Sequence, residues 1–278
     1  MHKLFLLLLT GCATLLQSGA QSIVSGTFNI RYDNPNDSGN LWKDRSAIIV
    51  SLIRFYDFDI LGTQEGLGHQ LEDMQSGLPG YTFFGAGRDD GKSKGEYSAI
   101  FYKKEKYHAL DSGNFWLSQH PEKPGPGWDA NLSRICSWLK LQEKKSKKMF
   151  YVFNVHYDHQ GMQARKESSK LILEKIKIIA GKSPVIFTGD FNGNHQSEWY
   201  LYIHNSPILK DAFIIAKNPY ANNGSFNSFK SNNPSKDIID HIFISNQFTI
   251  KRYGILTDTY HGRFPSDHYP VLAELLFR

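Results

Sequence analysis

Apolar residues recur along this chain in two patterns, and each pattern predicts a different element of secondary structure. Short runs in which apolar residues are continuous or alternate with polar ones are typical of β-strands, whereas apolar residues three and four positions apart indicate amphipathic helices. The first pattern predicts strands at residues 23–30, 58–63, 97–102, 137–143, 149–155, 184–188, 238–244, 249–256 and 271–277. The second predicts helices at residues 44–55, 68–76, 163–180 and 197–205. This set of elements favours an α/β fold with two mixed sheets packed face to face and helices outside.

Four segments carry signals beyond the apolar pattern. Asp44 is the predicted N-cap of its helix, and Gly181 is suited to the C-terminal cap of helix 163–180. The run 184–188 is continuously apolar, as expected for a strand that is buried on both faces. The basic run 144–148 lies between two predicted strands, and we interpret it as the solvated turn of a hairpin.

Two long connections contain no strand or helix signal. Residues 119–129 are rich in Pro and Gly and include Trp128, and residues 218–234 are rich in Asn, Ser and Gly. Irregular connections of this length are typical either of substrate-facing loops or of simple mobility. Both alternatives remain open for both segments.

The composition is that of an ordinary globular protein, with 278 residues of which 40% are hydrophobic. The 19 Phe and 14 Tyr residues favour a core rich in strands. We predict one domain over residues 21–278, because no repeat, low-complexity tract or linker divides them. Cys136 is the single cysteine in that range, so it cannot form an internal disulfide or a zinc site by itself, and it is interpreted as a buried apolar residue.

The N-terminal residues 1–20 have the pattern of a signal peptide. Lys3 precedes a short apolar run, and Ser18-Gly19-Ala20 supplies small residues suited to cleavage before Gln21. The apolar run is too short to span a bilayer as a permanent helix. The alternative is a lipoprotein signal with lipid attached at Cys12, which we disfavour because that cysteine comes very early. We therefore expect an exported protein, periplasmic or extracellular, without a transmembrane helix.

The charge of the chain suits an anionic substrate but does not identify one. The formal net charge is +5, and it falls by one, to +4, with the loss of Lys3. A solvated basic surface explains this excess equally well.

Polar fragments follow several of the predicted strands at the point where each strand ends. Asp190 and Asn192 follow run 184–188, and a carboxylate there can orient and deprotonate a water molecule while the amide binds a phosphate oxygen. An ordinary turn is the competing interpretation of that fragment. Glu65 follows strand 58–63 and is the first candidate ligand for a hard divalent cation. His156 ends strand 149–155 and can donate to a phosphate oxygen.

A carboxylate and an imidazole near the C-terminus form a second candidate pair. Asp240 lies within an apolar run, where an unpaired charge would cost several kcal/mol. His268 is its predicted partner, because a carboxylate would select the tautomer of the imidazole and raise its pKa. Asp267 stands beside His268 and can serve a metal ion or the backbone.

The ordered set of these fragments resembles the endonuclease/exonuclease/phosphatase superfamily, whose members have a DNase I-like fold. The fragments are 28–29, 64–65, 154–156, 189–192 and 266–268, so the resemblance covers nearly the whole of residues 21–278. It implies a four-layer αββα sandwich of two mixed sheets and catalysis with a divalent metal ion, Mg²⁺ or Mn²⁺. The resemblance implies metal-site roles for Asn29, Glu65 and Asp267. It implies catalytic roles for His156, Asp190, Asn192, Asp240 and His268.

Three further stretches, residues 31–35, 87–91 and 115–118, resemble secreted bacterial members of this superfamily without an assigned substrate. Arg88 in the second stretch, and Trp128, are the predicted substrate-binding residues. Some nuclease members have a second acidic residue where this chain has Arg31, which weakens the case for a second metal ion there.

We therefore expect an exported, metal-dependent phosphoester hydrolase in which water attacks the phosphorus in line with the leaving group. The alternatives are a nuclease acting on DNA or RNA, a phospholipid phosphodiesterase, and a non-catalytic binding module. We expect a monomer that acts on a phosphoester substrate, with nucleic acid as one possible class. The sequence leaves open whether Asp190 or His268 accepts the proton from water.

Overall fold

The structure is a computed structural model that describes residues 22–232 and 235–278. The predicted signal peptide of residues 1–20, including Cys12, lies outside the described residues. Within the described ranges, every helix is too short or too polar to cross a bilayer.

The described residues form twelve strands and five helices. The strands are β1 (Ser22–Asn29), β2 (Ile60–Gln64), β3 (Tyr81–Phe84), β4 (Ile100–Lys103), β5 (Tyr107–Trp116), β6 (Ile135–Glu143), β7 (Met149–His156), β8 (Val185–Asp190), β9 (Lys210–Asp211), β10 (Asp240–Ile244), β11 (Phe248–Ile255) and β12 (Val271–Phe277). The helices are α1 (Trp42–Tyr56), α2 (Gly68–Gly77), α3 (Met162–Ala180), α4 (Glu198–His204) and α5 (Ala212–Ile215).

The strands make two mixed sheets of six strands each, which confirms the predicted fold class. The first sheet has the order β11-β12-β1-β2-β4-β3, and the second has the order β5-β6-β7-β8-β10-β9. Strands β1 and β2 are parallel, as are β7 and β8, and the remaining pairs are antiparallel.

Three hydrophobic clusters separate four layers. One lies between the two sheets and includes Ile60, Val152 and Ile242. A second packs α1 and α2 on the outer face of the first sheet. The third packs α3 and α4 on the outer face of the second sheet and contains the fully buried Cys136. The order of layers is therefore helices, sheet, sheet, helices.

Most of the predicted elements are present, with shifted ends. The hairpin of strands 137–143 and 149–155 is confirmed as the antiparallel pair β6 and β7. Helix α1 begins at Trp42 with Leu41 as its N-cap, so the prediction of Asp44 as the N-cap is wrong; Asp44 lies in the first turn. Strands β3, β5 and β9 and helix α5 were not predicted. Strands β3 and β9 and helix α5 are short. Strand β5 is irregularly buried and shifts register between Ala109 and Asp111, which obscures the alternation of apolar residues.

The alternation of side chains along each strand decides which residues reach the candidate site. In β7, Val152 points between the sheets while Phe153 points to the helices, so His156 shares the inner face. By the same alternation, Asp190 shares the inner face of β8 with Ile186, and Asp240 shares the inner face of β10 with Ile242. The strand register pairs Asp190 with His156 on one side and with Asp240 on the other. Three polar side chains thus meet at one end of the inner core.

Asn154 connects the two sheets through a fully used amide. Its Nδ2 donates to the carbonyl oxygens of Thr63 and Ala99, at 2.9 Å each. Its Oδ1 accepts from Gln64 Nε2 at 2.7 Å and from Thr188 Oγ1 at 3.1 Å. The amide is completely buried, so each of these bonds is made without competition from water.

We expect Asn154→Ala to lower the free energy of unfolding by about 3 kcal/mol, because it leaves buried donors and acceptors unpaired. Urea unfolding followed by circular dichroism measures the change. Asn131→Ala is the matched control, since Asn131 is exposed and its side chain bonds the exposed Gln160. Equal stability of the Asn154 and Asn131 variants would show that the buried amide contributes nothing to holding the sheets together.

Candidate active site

A polar cavity of about 470 Å³ opens at the end of the inner core where these side chains meet. Its wall is built from strand ends and from the connections that follow them. The lining residues are Arg31, Tyr32, Glu65, Glu96, Leu132, Arg134, His156, His159, Asp190, Asn192, Phe226, Asp267 and His268.

Asp190 lies at the centre of this wall, held by two hydrogen bonds. Asn29 Nδ2 donates to its Oδ2 at 3.0 Å, and the Asn192 amide donates to its Oδ1 at 2.9 Å. The same Oδ2 lies 3.6 Å from His156 Nε2 and 3.7 Å from His268 Nε2. Burial and the nearby charge of Asp240 raise the pKa of Asp190 to about 7. A carboxylate with this geometry can hold a water molecule and accept its proton.

The predicted pair of Asp240 and His268 is present. His268 Nδ1 lies 2.8 Å from Asp240 Oδ2, and Asp240 is fully buried. Burial disfavours the charged imidazole, but the carboxylates of Asp240 and Asp190 outweigh it, so the pKa of His268 lies well above its usual value. His268 is therefore a cation that lines the cavity and can stabilise negative charge on a phosphoryl group.

His156 differs from His268 in its protonation state. Burial, reinforced by the charges of Arg134 and Arg88, lowers the pKa of His156 well below its usual value. A neutral imidazole still carries one N–H and can donate one hydrogen bond to a phosphate oxygen. Asp190 thus lies between a neutral and a cationic histidine, an arrangement typical of acid–base chemistry.

Glu65 and Asp267 form the oxygen-rich part of the cavity. Arg31 Nη1 lies 3.9 Å from Glu65 Oε2 and 3.8 Å from Asp267 Oδ2, so the two carboxylates share one cation. Ser266 Oγ donates to the carbonyl oxygen of Asn29 at 2.7 Å, which ties the 266–268 segment to the end of β1. Two largely buried carboxylates fit the oxygen ligands that a hard divalent cation such as Mg²⁺ prefers.

Asn29 faces the carboxylates of Glu65 and Asp190 with its nitrogen rather than its oxygen. Its Nδ2 donates to Glu65 Oε1 and to Asp190 Oδ2, both at 3.0 Å, while its Oδ1 accepts from the Arg31 amide. In this arrangement Asn29 orients two carboxylates and does not present an oxygen ligand to a cation. The metal-site role predicted for Asn29 from the sequence stays a prediction.

Three residues of the site have a backbone conformation that residues other than glycine adopt uncommonly. The φ angles of Arg31, Glu65 and Asn192 are 56°, 65° and 45°. Such left-handed residues are found disproportionately at functional sites, where the surrounding contacts hold them. Asn192 also donates one N–H of Nδ2 to the Tyr157 carbonyl at 3.0 Å, which leaves its second N–H for the predicted phosphate contact.

Two residues of the cavity were missed in the sequence. Arg134 is 4% exposed, contacts His159 Nδ1 through Nη2 at 3.0 Å, and has no hydrogen-bond partner for Nη1 within residues 22–232 and 235–278. Glu96 accepts from Arg88 Nη1 at 2.6 Å, and burial raises its pKa to about 7 despite that guanidinium. The available signal was weak: each is a charged residue just before an apolar strand.

The two predicted substrate-binding residues do not line the main cavity. Arg88 lies behind it, where its guanidinium binds Glu96 and its carbonyl accepts from Trp116 Nε1 at 2.7 Å. Trp128 is half-buried in loop 119–129, and its amide donates to Gln119 Oε1. Arg88 therefore acts on the cavity through Glu96, and Trp128 is not brought to the other site residues. Trp116, which lies in the stretch 115–118, is buried against Ala86 and Ile135.

Solved structures from Bacteroides thetaiotaomicron resemble this chain over nearly its whole length. An endonuclease/exonuclease/phosphatase family protein is 45% identical, with 93% of this chain and 98% of that chain covered and a TM-score of 0.91. A mannosyl-6-phosphatase is also 45% identical, with 92% and 100% covered and a TM-score of 0.90.

A curated relative is matched over a shorter region. An uncharacterised protein of Acanthamoeba polyphaga mimivirus is 32% identical over 160 residues, which are 54% of this chain and 59% of the relative. The model of the Endonuclease/Exonuclease/phosphatase family matches residues 26–268, which include each of the catalytic residues described above. The chain therefore belongs to the endonuclease/exonuclease/phosphatase family.

Proposed function

We propose that this protein is a divalent-metal-dependent phosphatase that hydrolyses a small phosphate monoester, such as a sugar phosphate. The observation that carries the proposal is the placement of Asp190 Oδ2 within 3.7 Å of both His156 and His268 on the wall of one cavity. The 45% identity to a mannosyl-6-phosphatase over 92% of the chain supports the substrate class.

The residues divide the chemistry among them. Asp190 orients a water molecule and takes its proton while the bond between the water oxygen and phosphorus forms. The bond between phosphorus and the alcohol oxygen breaks in the same step. His268, held by Asp240, and the neutral His156 donate hydrogen bonds to the phosphoryl oxygens. Glu65 and Asp267 would hold Mg²⁺ or Mn²⁺, which when bound supplies Lewis-acid stabilisation of the developing charge.

The size and charge of the cavity favour a small monoester. A cavity of about 470 Å³ suits a compact ligand, whereas a nucleic acid needs an extended basic groove. Arg134 and His159 line the same cavity, and Nη1 of Arg134, which has no hydrogen-bond partner among the described residues, offers a donor for a doubly charged phosphate. A monoester carries one more negative charge than a diester, and the guanidinium of Arg134 favours it.

A substrate panel tests the proposal directly. Phosphate release from mannose 6-phosphate and other sugar phosphates is compared with hydrolysis of bis-p-nitrophenyl phosphate, single-stranded DNA and sphingomyelin, each with Mg²⁺ and with EDTA. We expect fastest turnover on a sugar monophosphate and its loss in EDTA. Faster cleavage of DNA or of the phospholipid would replace the proposed substrate class, and absence of metal-dependent turnover on any of them would overturn the enzymatic function.

Glu65→Gln is expected to raise the Mg²⁺ concentration for half-maximal activity by at least about tenfold, because it removes a charged oxygen ligand. Activity is titrated with Mg²⁺ in the variant and in Glu72→Gln, a matched change at an exposed position of α2. An unchanged Mg²⁺ dependence in the Glu65 variant would show that the ion is held elsewhere.

A further inference from the structure

A second cluster of potential metal ligands lies on the other side of the second sheet. It consists of His195 in the connection after β8, Asp211 in β9 and His241 in β10. His241 follows Asp240 in the chain, but its side chain points to the opposite face, towards α4. None of the three lines the catalytic cavity.

The donor atoms of the three side chains converge on one point. His195 Nε2 lies 3.4 Å from Asp211 Oδ2, and His241 Nδ1 lies 3.6 Å from the same oxygen. One ligand atom from each residue lies within 4.8 Å of the others. Zinc bonds of about 2.0–2.1 Å in a tetrahedron place neighbouring ligands about 3.3 Å apart, close to the first two separations.

Hydrogen bonding determines which nitrogen of His241 faces the cluster. His241 Nε2 lies 2.8 Å from the carbonyl oxygen of Gly193, which can only accept, so Nε2 carries a proton and donates it. Nδ1 of His241 then faces the Asp211 carboxylate. An imidazole fixed by a backbone carbonyl in this way is typical of metal-binding histidines.

The carboxylate of Asp211 is fixed in the same manner. The amide of Phe213 donates to Oδ1 and the hydroxyl of Tyr200 donates to Oδ2, both at 2.7 Å. Its Oδ2 is thus directed at the two imidazoles.

The direct contacts between the two histidines and Asp211 are long for hydrogen bonds. The nitrogen–oxygen separations of 3.4 and 3.6 Å exceed the usual hydrogen-bond range of about 2.7–3.2 Å. Within the described parts of the chain, His195 Nε2 and His241 Nδ1 have no hydrogen-bond partner, although His241 is completely buried. Ring packing of His195 on Phe213 and Tyr200 explains the position of the ring, but it does not require Nε2 to face the carboxylate.

We propose that His195, Asp211 and His241 bind a zinc ion at a site separate from the catalytic one. Two imidazoles and one carboxylate are a ligand set that zinc accepts, and water can complete the tetrahedron because the His195 side chain is 27% exposed. The ion joins the connection after β8 to β9 and β10. The same connection carries Asn192, so zinc would restrain the loop that borders the catalytic cavity.

Zinc binding is tested on the whole protein after EDTA treatment and dialysis. Thermal unfolding is followed during titration with Zn²⁺ in the presence of excess Mg²⁺, which occupies the catalytic carboxylates. Co²⁺ is then substituted for Zn²⁺, and its visible absorption reports tetrahedral coordination. Wild type is expected to bind one Zn²⁺, to melt at a higher temperature with it, and to give the tetrahedral Co²⁺ spectrum.

Two variants assign the ion to the cluster. His195→Ala is expected to weaken Zn²⁺ binding by more than about a hundredfold, since loss of an outer-sphere partner alone costs ten- to a hundredfold. His195 is partly exposed, so the variant keeps its fold. His204→Ala is the matched control: its ring stacks on Tyr200 but is not one of the three ligands, and its affinity for Zn²⁺ should equal that of wild type.

Two results would overturn the zinc site. One is the absence of any Zn²⁺-dependent rise in melting temperature in wild type. The other is a rise that persists in His195→Ala and disappears in Glu65→Gln, which would place the ion at the catalytic carboxylates. An octahedral Co²⁺ spectrum that depends on His195 would retain the site but reject zinc as its ion.

Discussion

Asp190→Asn is expected to lower kcat by at least about a hundredfold, as is typical for loss of a residue that moves a proton. The amide keeps the size of the side chain, and its oxygen can still accept a hydrogen bond from Asn29, but it cannot take a proton from water. KM should change little, because His156, His268 and Arg134 remain to bind the phosphate. Initial rates of phosphate release over a range of substrate concentrations give both constants.

The control for Asp190→Asn is the same substitution at Asp111, an exposed position of β5 that lies outside the cavity. That variant should match wild type in both constants. Circular dichroism and a melting curve establish that both proteins are folded. A kcat for Asp190→Asn close to that of wild type would exclude Asp190 as the proton acceptor.

His268→Asn is expected to reduce kcat by about a hundredfold or more, and Asp240→Asn by a smaller factor. An asparagine at 268 can still donate to Asp240 from a position near that of the imidazole Nδ1, but it carries no positive charge. Asp240 touches the reaction only through His268, so it is a positioning residue. The double variant should therefore be no slower than His268→Asn alone, because the two side chains act as one unit.

Rates of the wild type, both single variants and the double variant form a complete cycle. If the fall in kcat of the double variant equalled the product of the falls in the two single variants, the two side chains would act independently. That result would contradict the coupling and assign Asp240 a separate role. Melting temperatures separate this outcome from misfolding, since loss of one partner from a buried charged pair is destabilising by about 3–5 kcal/mol. The asparagine at 268 was chosen to keep Asp240 hydrogen-bonded.

The layers of the fold and most of the residues that meet at the candidate site could be predicted from the sequence because each has a local signature. Residues 163–180 show a helical stripe, and run 184–188 is apolar throughout, so their elements are readable without tertiary information. Asp190 and His156 each end an apolar strand. Asp240 was identified because a carboxylate inside an apolar run requires a partner, and His268 supplies it in the structure.

The remaining features depend on contacts between segments far apart in the chain. Arg134 and Glu96 look like ordinary charged residues, and their place in the cavity follows from the way β4 and β6 approach from different sheets. Trp128 was predicted to bind substrate, but it lies in a loop without a strand or helix pattern. The sequence alone does not determine the position of such a loop. Neither His195 nor His241 has a metal-ligand spacing along the chain.

The sequence by itself determined the strand and helix pattern, the family and the residues that end the catalytic strands. Periodic apolar side chains specify which face of a strand is buried. Because side chains alternate between the two faces, His156, Asp190 and Asp240 then lie on one inner face. Tertiary structure alone decided the orientation of Asn29, the two protonation states of His156 and His268, and the convergence of His195, Asp211 and His241. These properties arise from distances, burial and hydrogen bonds between separate elements, which no local pattern of residues encodes.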